Sequence, residues 1–175
     1  LSRRQRQMCI RDRFCDDGRG NLWIATENGG LNHFDVRNRK FTNHTARSHN
    51  NLHALCMDGD DLLIGTFSQG LDLMNLRTGK VVNYRNIPGD SASLCNDYVY
   101  AIFRASDGTL YVGTMSGMCI FDKRRGRFSR VKITEGRFIY DIAEDTGGNI
   151  WVASKVSGIY RYSPGDGTWK NYRHD

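Results

Sequence analysis

Asn149-Ile150-Trp151-Val152-Ala153-Ser154 decides the fold, because three further stretches repeat its pattern. These are Asn21-Leu22-Trp23-Ile24-Ala25-Thr26, Asp61-Leu62-Leu63-Ile64-Gly65-Thr66 and Thr109-Leu110-Tyr111-Val112-Gly113-Thr114. Each is an apolar run that ends in a small residue and a hydroxyl. Working outward, a Gly follows each hydroxyl at Gly30, Gly70, Gly117 and Gly158, and an apolar residue follows each Gly. A second alternating segment then leads through a polar turn to Phe41, Val81, Phe128 and Trp169. The third copy is one residue short between Thr114 and Gly117, and every later position keeps that offset.

Upstream of the hydroxyls lies another apolar stretch, Leu52 to Met57, Val99 to Phe103 and Phe138 to Ala143, which in the first copy begins at Phe14. Each unit therefore reads as four short antiparallel strands. Asp107-Gly108 and Gly147-Gly148 suit the first hairpin, where positive φ is needed. Gly79, Gly126 and Gly167 stand at equivalent points of the last hairpin, where the first copy has Arg39. A four-stranded sheet with two apolar faces cannot bury both alone, so copies of it must stack on one another. A period of roughly 40 residues with radial stacking is a β-propeller. A β-sandwich, the rival all-β architecture, requires no repeating sequence. The expected fold is all-β: a partial β-propeller of about four four-stranded antiparallel blades, ring not closed. The blades span approximately 14–45, 51–86, 97–131 and 136–173. Four blades do not close a ring, so both end sheets are expected to expose an apolar face, leaving the isolated chain marginally stable or prone to aggregate.

Of the 175 residues 19 are Gly and 2 are Pro, a mixture that suits tight turns between strands. No apolar run approaches the roughly 20 residues of a membrane-spanning helix, so no direct membrane insertion is expected. The formal charge of +6 is concentrated in Arg3 to Arg13, which holds five Arg and one Asp. Without it, 25 basic and 19 acidic residues become 20 and 18, a net of +2. That stretch resembles the translation of a transposase adapter from sequencing libraries, so residues 1–13 are set apart as an artefactual or disordered tail. The remaining charge gives no reason to expect a nucleic-acid partner. Cys15, Cys56, Cys95 and Cys119 form no paired metal-binding spacing and are read as small buried apolar residues, with any disulfide pairing left open.

The repeat resembles the two-component regulator propeller repeat family. Ile142-Ala143-Glu144-Asp145 with Asn149-Ile150-Trp151-Val152 carries the resemblance, as does Asn21-Leu22-Trp23-Ile24-Ala25-Thr26. The stretch from Ile87-Pro88-Gly89-Asp90 to Ile102 resembles the family's inter-blade connection. The likeness covers nearly everything after Arg13; Leu63 and Tyr111 depart from the usual Trp but keep a large side chain. The resemblance implies a bacterial periplasmic sensor, the extracytoplasmic part of a hybrid two-component histidine kinase. It also implies an oligosaccharide or other small periplasmic ligand, packing against the remaining blades of a parent propeller, and a homodimer of the full-length protein. Starting and ending inside a repeat array, the chain reads as a fragment.

Candidate sites need weighing against packing. Trp23 and Trp151 share a repeat position with Leu63 and Tyr111, which favours inter-blade core over a sugar platform. Candidate ligand-binding residues lie instead where the inner strands begin: His53, Tyr98, Tyr100, Arg137 and Tyr140, whose aromatic and basic groups suit stacking on and hydrogen bonding to a sugar. Lys123-Arg124-Arg125-Gly126-Arg127 reads as a solvated hairpin turn. Asp58-Gly59-Asp60-Asp61 lacks the spaced ligands and closing Glu of a calcium loop and reads as a turn. No metal site, cofactor or catalytic constellation is expected; His33, His44 and His53 occupy unrelated repeat positions. The alternatives to a sensor are a propeller enzyme, lyase or hydrolase, and a protein-interaction scaffold.

Overall fold

The computed structural model describes residues 13–27, 29–44 and 50–173; the stretch 1–12, and with it most of the expected tail, lies outside them. Four four-stranded antiparallel sheets follow one another along the chain, each with its strands in sequence order. The first comprises β1 (Arg13–Asp16), β2 (Asn21–Thr26), β3 (Gly30–Asp35) and β4 (Lys40–His44), so Arg13 already belongs to a strand. The second is β5 (Leu52–Asp58), β6 (Asp61–Thr66), β7 (Leu71–Asn75) and β8 (Val81–Tyr84). The third is β9 (Val99–Arg104), β10 (Leu110–Thr114), β11 (Gly117–Asp122) and β12 (Arg127–Arg130). The fourth is β13 (Ile139–Glu144), β14 (Ile150–Ser154), β15 (Ile159–Ser163) and β16 (Thr168–Tyr172). Successive first strands, β1, β5, β9 and β13, pack beside one another, which makes them the inner strands of a partial β-propeller with an open ring.

Period-2 alternation explains the stacking. Leu62 and Ile64 of blade 2 face back and pack with Trp23, Ala25 and Leu31 of blade 1. Leu63 and Leu71 face forward and pack with Leu110, Val112, Phe121 and Phe128 of blade 3. Tyr111 and Met118 of blade 3 then meet Ile142, Ile150, Val152 and Tyr160 of blade 4. Trp23, Leu63, Tyr111 and Trp151 hold the same place in their sheets, opposite Cys15, Cys56, Phe103 and Ala143. The first three are buried against the next blade, whereas Trp151 is half-buried on the outer side of blade 4.

The two small features of the repeat have separate physical causes. The hydroxyl ties down the loop that follows: Thr66 Oγ1 donates to the Gly70 carbonyl at 2.8 Å, and Thr114 Oγ1 to that of Gly117 at 2.8 Å. The small residue makes room for the next inner strand, because a Cβ on Gly113 would lie 2.7 Å from Ile139 Cγ2, and one on Gly65 would lie 2.7 Å from Val99 Cγ1. In the last hairpin, Arg39 takes the left-handed conformation of its glycine counterparts, with φ 52° against 69°, 65° and 68° at Gly79, Gly126 and Gly167.

Polar groups join the blades at the end that carries the β1–β2-type turns. Asp145 accepts hydrogen bonds from Gly147 and Asn149 and from the Trp151 indole at 2.8 Å, which hold its carboxyl down at about 2. Asp58 is its counterpart in blade 2, where Leu63 offers no indole. Asp58 instead takes Arg104 of blade 3 at 2.7 Å and Lys123, which also reaches Asp61 at 2.9 Å. Burial pushes the Asp58 carboxyl up, but the hydrogen bonds from Lys123 and Arg104 outweigh it and hold it below the usual range. Lys123 therefore departs from the solvated reading of its loop, whereas Arg124 and Arg125 are exposed as expected. The cysteines split as well: Cys95 of the inter-blade connection is joined by a disulfide to Cys119 of β11, and Cys15 and Cys56 are free. Cys95 and Cys119 are therefore paired rather than simply apolar filling, and their Cα atoms are 6.5 Å apart, within the ordinary span of such a bridge.

Candidate functional site

The inner strands share an irregularity at one place. Pairing jumps from Leu52–Thr66 to Ala54–Gly65, from Val99–Thr114 to Ala101–Gly113, and from Ile139–Ser154 to Asp141–Ala153. Each jump leaves one residue bulged, and the three are His53, Tyr100 and Tyr140. A bulge bends its strand and re-aims the extra side chain. Beyond each bulge a main-chain hydrogen bond closes the strand pair again: Phe67 N–H to Asn51, Met115 N–H to Tyr98 and Lys155 N–H to Phe138, at 3.0 Å in each case. The bulged residues are pinned from both sides.

Re-aimed in this way, they build a run of rings across blades 2, 3 and 4. Tyr98 meets Phe67 edge-on at 4.9 Å between centroids, and Phe67 lies 5.4 Å from His53. His53 is 4.7 Å from Tyr100, Tyr100 is 4.4 Å from Phe138, and Phe138 stacks on Tyr140 at 4.4 Å. The Lys155 ammonium sits 5.6 Å over the Phe138 ring, a cation–π distance. His53 is buried, Tyr98 and Tyr100 are half-buried and Tyr140 is exposed, so the run passes from packed to open toward blade 4.

Four of the five candidate residues, His53, Tyr98, Tyr100 and Tyr140, thus fall in one aromatic run. Arg137 stands exposed in the turn before β13 and takes no part in these ring contacts among the described residues. Reading the inner strands alone missed Phe67, Phe138 and Lys155. Phe67 and Lys155 directly follow the repeat hydroxyl, and Phe138 precedes the first buried residue of its strand, so the repeat alignment carried the signal. Chemically, the run offers apolar ring faces, phenol hydroxyls and one ammonium. That set suits a neutral or anionic polyhydroxylated molecule, whose C–H faces lie on rings while its hydroxyls find polar tips.

The opposite end holds a cleft of about 490 Å³ between the turns of blades 3 and 4, walled by Asp107, Glu144, Arg161 and Asp166. Its main carboxylate is committed to blade contact, since Glu144 accepts hydrogen bonds from the Ser106 backbone and hydroxyl at 2.8 and 2.6 Å. Tyr111 beneath it is pushed up to about 12, by burial first and then by Asp107 and other nearby groups. His33 and His44 flank Trp23 on the third and fourth strands of blade 1, whereas His53 is on the inner strand of blade 2, and their ring centroids are 4.6 and 4.9 Å from the indole. Among the described residues no cluster of His, Cys, Asp or Glu is arranged to hold a metal ion. Nor is any helix among them long and apolar enough to cross a membrane.

Residues 93–116, which run from the connection through β9 and β10, match the family described as "Two component regulator propeller". The chain is 31% identical over 81 residues to Histidine kinase P4 of Formosa agariphila, an alignment covering 41% of this chain and 6% of that protein. Among solved structures it resembles an extracellular domain assigned to a hybrid two-component system of B. thetaiotaomicron, with a TM-score of 0.77 and 19% identity. That superposition covers 90% of this chain and 20% of the other, so this chain spans about a fifth of that domain. Virginiamycin B lyase of Staphylococcus aureus also shares the fold, with a TM-score of 0.70 at 12% identity over 92% of this chain and 54% of the lyase. The sequence match falls on the connection and the first two strands of blade 3, which carry Tyr98 and Tyr100 of the aromatic run. Over residues 93–116 the chain is similar to the two-component regulator propeller repeat, and over most of its length it shares the propeller fold.

Proposed function

We propose that this chain is a ligand-sensing segment of an extracytoplasmic propeller, working for two-component signal transduction, and that it takes an oligosaccharide on the aromatic run from Tyr98 to Tyr140. The observation that carries the reading is the triple bulge, which sends His53, Tyr100 and Tyr140 to one place from three blades. Packing alone does not call for the same irregularity three times at the mouth of the inner strands; bulges of this kind accompany binding sites. The likeness to a histidine kinase and to the extracellular domain of a two-component system supports a sensor role. The Cys95–Cys119 disulfide supports an oxidising compartment, where such bonds persist.

In this reading the segment binds and does not catalyse. The lyase likeness is one of fold, and His53 belongs to the aromatic run whereas His33 and His44 flank Trp23 in blade 1. Ligand binding would favour one packing of the blades over another, and the shift in population would be the signal passed on.

The test is calorimetric titration with a panel of neutral and uronic-acid-containing oligosaccharides, comparing the unaltered chain with Tyr100→Ala and Tyr140→Ala. Removing one stacking ring costs about 1.4 kcal/mol or more at a binding hot spot, a loss of about tenfold or more in affinity. Unchanged affinity in both variants, or no binding to any member of the panel, would remove the saccharide reading.

A further inference from the structure

At the end that carries the β1–β2-type turns, each junction between blades is closed differently, and three repeat positions decide how. The later blade supplies two of them. One lies near the end of its first strand, at Met57, Arg104 and Glu144, opposite Leu62, Leu110 and Ile150. The other directly follows its third strand, at Leu76, Lys123 and Pro164. The earlier blade supplies the third, at the start of its first hairpin: Asp17, Asp58 and Ala105. Between blades 1 and 2, Met57 and Leu76 pack on the shared apolar core. Between blades 2 and 3, Arg104 and Lys123 reach back and are neutralised on Asp58. Between blades 3 and 4, Pro164 replaces the long side chain and Ala105 the carboxylate, and the cleft of about 490 Å³ is what remains.

The charge of this cleft is negative. Asp107, Glu144 and Asp166 wall it, and each is fixed by neutral donors. Asp107 accepts from the Thr109 N–H at 2.8 Å, Glu144 from Ser106, and Asp166 from the Thr168 N–H and hydroxyl at 3.0 and 2.7 Å. Such bonds orient a carboxylate without cancelling its charge, and none of the three forms an ion pair among the described residues. Arg161 is drawn aside, with its guanidinium 5.8 Å over the Trp151 ring and donating to the Ser163 hydroxyl at 3.0 Å. The floor adds an unspent donor. Tyr111 is 4% exposed and lines the cleft, yet its hydroxyl has no hydrogen-bond partner among the described residues. Buried phenols ordinarily find one. Pushed up to about 12, this phenol keeps its proton at neutral pH and is ready to donate it to an acceptor.

We infer that the cleft between blades 3 and 4 binds a protonated amino sugar, whose ammonium is met by Asp107, Glu144 and Asp166 and whose hydroxyl accepts from Tyr111. The ligand's ammonium takes the part that Lys123 plays one junction earlier, where a cation of the chain itself answers the carboxylates. A bare metal ion is too small for this volume, and the described residues hold no cluster arranged for one. A plain alkylamine leaves the phenol unanswered, whereas a hydroxylated ring satisfies both the charge and the donor. The volume falls within the range of small-molecule sites, about 300–1,000 Å³. This site is separate from the aromatic run, since it lies at the other end of the blades and selects a cation.

The experiment is an amide NMR titration of the full chain with the glucosamine disaccharide from chitosan and, for comparison, its N-acetylated counterpart, which keeps the rings and loses the charge. The charged sugar is expected to bind saturably, about tenfold or more tighter than the acetylated one, and to move the amides of Asp107, Gly108, Gly147 and Gly148. Tyr111→Phe keeps the ring and is expected to lose about tenfold in affinity with the lost hydrogen bond, as is Asp107→Asn with the lost charge. In the free chain Tyr111→Phe removes a hydroxyl that has no partner, so this variant should melt at or above the unaltered temperature, which separates a binding loss from a folding loss. Absence of saturable binding overturns the inference, as does equal affinity for the acetylated sugar. Shifts confined to the amides of the aromatic run also overturn it, because they place the sugar at the other end. Unchanged affinity in either variant does the same, and a lowered melting temperature of Tyr111→Phe would show that the hydroxyl is already spent within the fold.

Discussion

Replacing Gly113 by Val isolates the role of the small residue in the repeat. A Cβ at this position would stand 2.7 Å from Ile139 Cγ2, 3.1 Å from Ile139 Cβ and 3.2 Å from Ala101 Cβ. The first of these is shorter than side chains tolerate, and Val adds two further carbons. Ile139 is fully buried at the start of β13 and beside the Tyr140 bulge, so relief requires blade 4 to move away from blade 3. Overpacking of this kind costs about 1–3 kcal/mol. For a chain of this size each kcal/mol lowers the melting temperature by about 2–4 °C, giving a fall of about 2–12 °C. The comparison that gives the result its meaning is Ala153→Val. Ala153 holds the same repeat position in blade 4 but faces no following blade among the described residues, so in this chain its change should stay within about 0.5 kcal/mol. The assay is thermal unfolding followed by near-ultraviolet circular dichroism, at a concentration low enough to keep the chains separate. If Gly113→Val melts at or above the unaltered temperature, or if Ala153→Val falls as far, close approach of blades is not why the residue is small.

Three other perturbations test separate contacts. The Asp145 carboxyl is held at about 2 against its ordinary 3.8, a lowered value, so its contribution to stability is complete above about pH 4 and disappears as pH falls through 2. Asp145→Asn should therefore flatten the dependence of stability on pH between those limits, as read from urea midpoints, and a slope that is unaltered refutes the assignment. Reducing the Cys95–Cys119 bridge, which closes a separation of 24 residues, should cost about 3 kcal/mol and lower the melting temperature by about 6–12 °C; Cys95→Ala should match the reduced chain and lose its response to reductant. Arg39→Gly should raise stability by about 0.5–1 kcal/mol, because the left-handed backbone at φ 52° is strained for Arg and free for Gly; a loss would show that the Arg side chain contributes more than the strain.

Much of this architecture was legible because stacking writes itself into the sequence twice. Leu62 and Leu63 are neighbours in the chain yet serve different interfaces, so both must be apolar, and the repeat of such pairs exposes the blade. Trp23 illustrates the benefit of comparing copies: its equivalence to Leu63 and Tyr111 marked it as core, and it is 5% exposed between blades 1 and 2. The site was harder to read. Which residues begin the inner strands was plain, and His53, Tyr98, Tyr100 and Tyr140 follow from that. The bulges were not plain, since one extra residue in a short strand leaves no composition signal. Phe67 and Phe138 reach the run only because the strand pairs close beyond the bulge. The Cys95–Cys119 bridge was hidden for a different reason, as the connection must fold back on β11 before the two thiols meet. Lys123 read as one more turn cation because its partners, Asp58 and Asp61, belong to the preceding blade.

The alternation of faces also governs how the molecule comes apart. Since each interface has its own set of side chains, loosening one leaves the next intact, and opening behaves as a one-dimensional series of steps rather than a single collapse. Among the described residues, blades 2 and 3 are clamped on both sides, whereas blades 1 and 4 are each packed against one neighbour. Amide protons of β6 and β10 should therefore exchange with solvent last, and those of β4 and β16 first, so the chain unravels from its two ends inward.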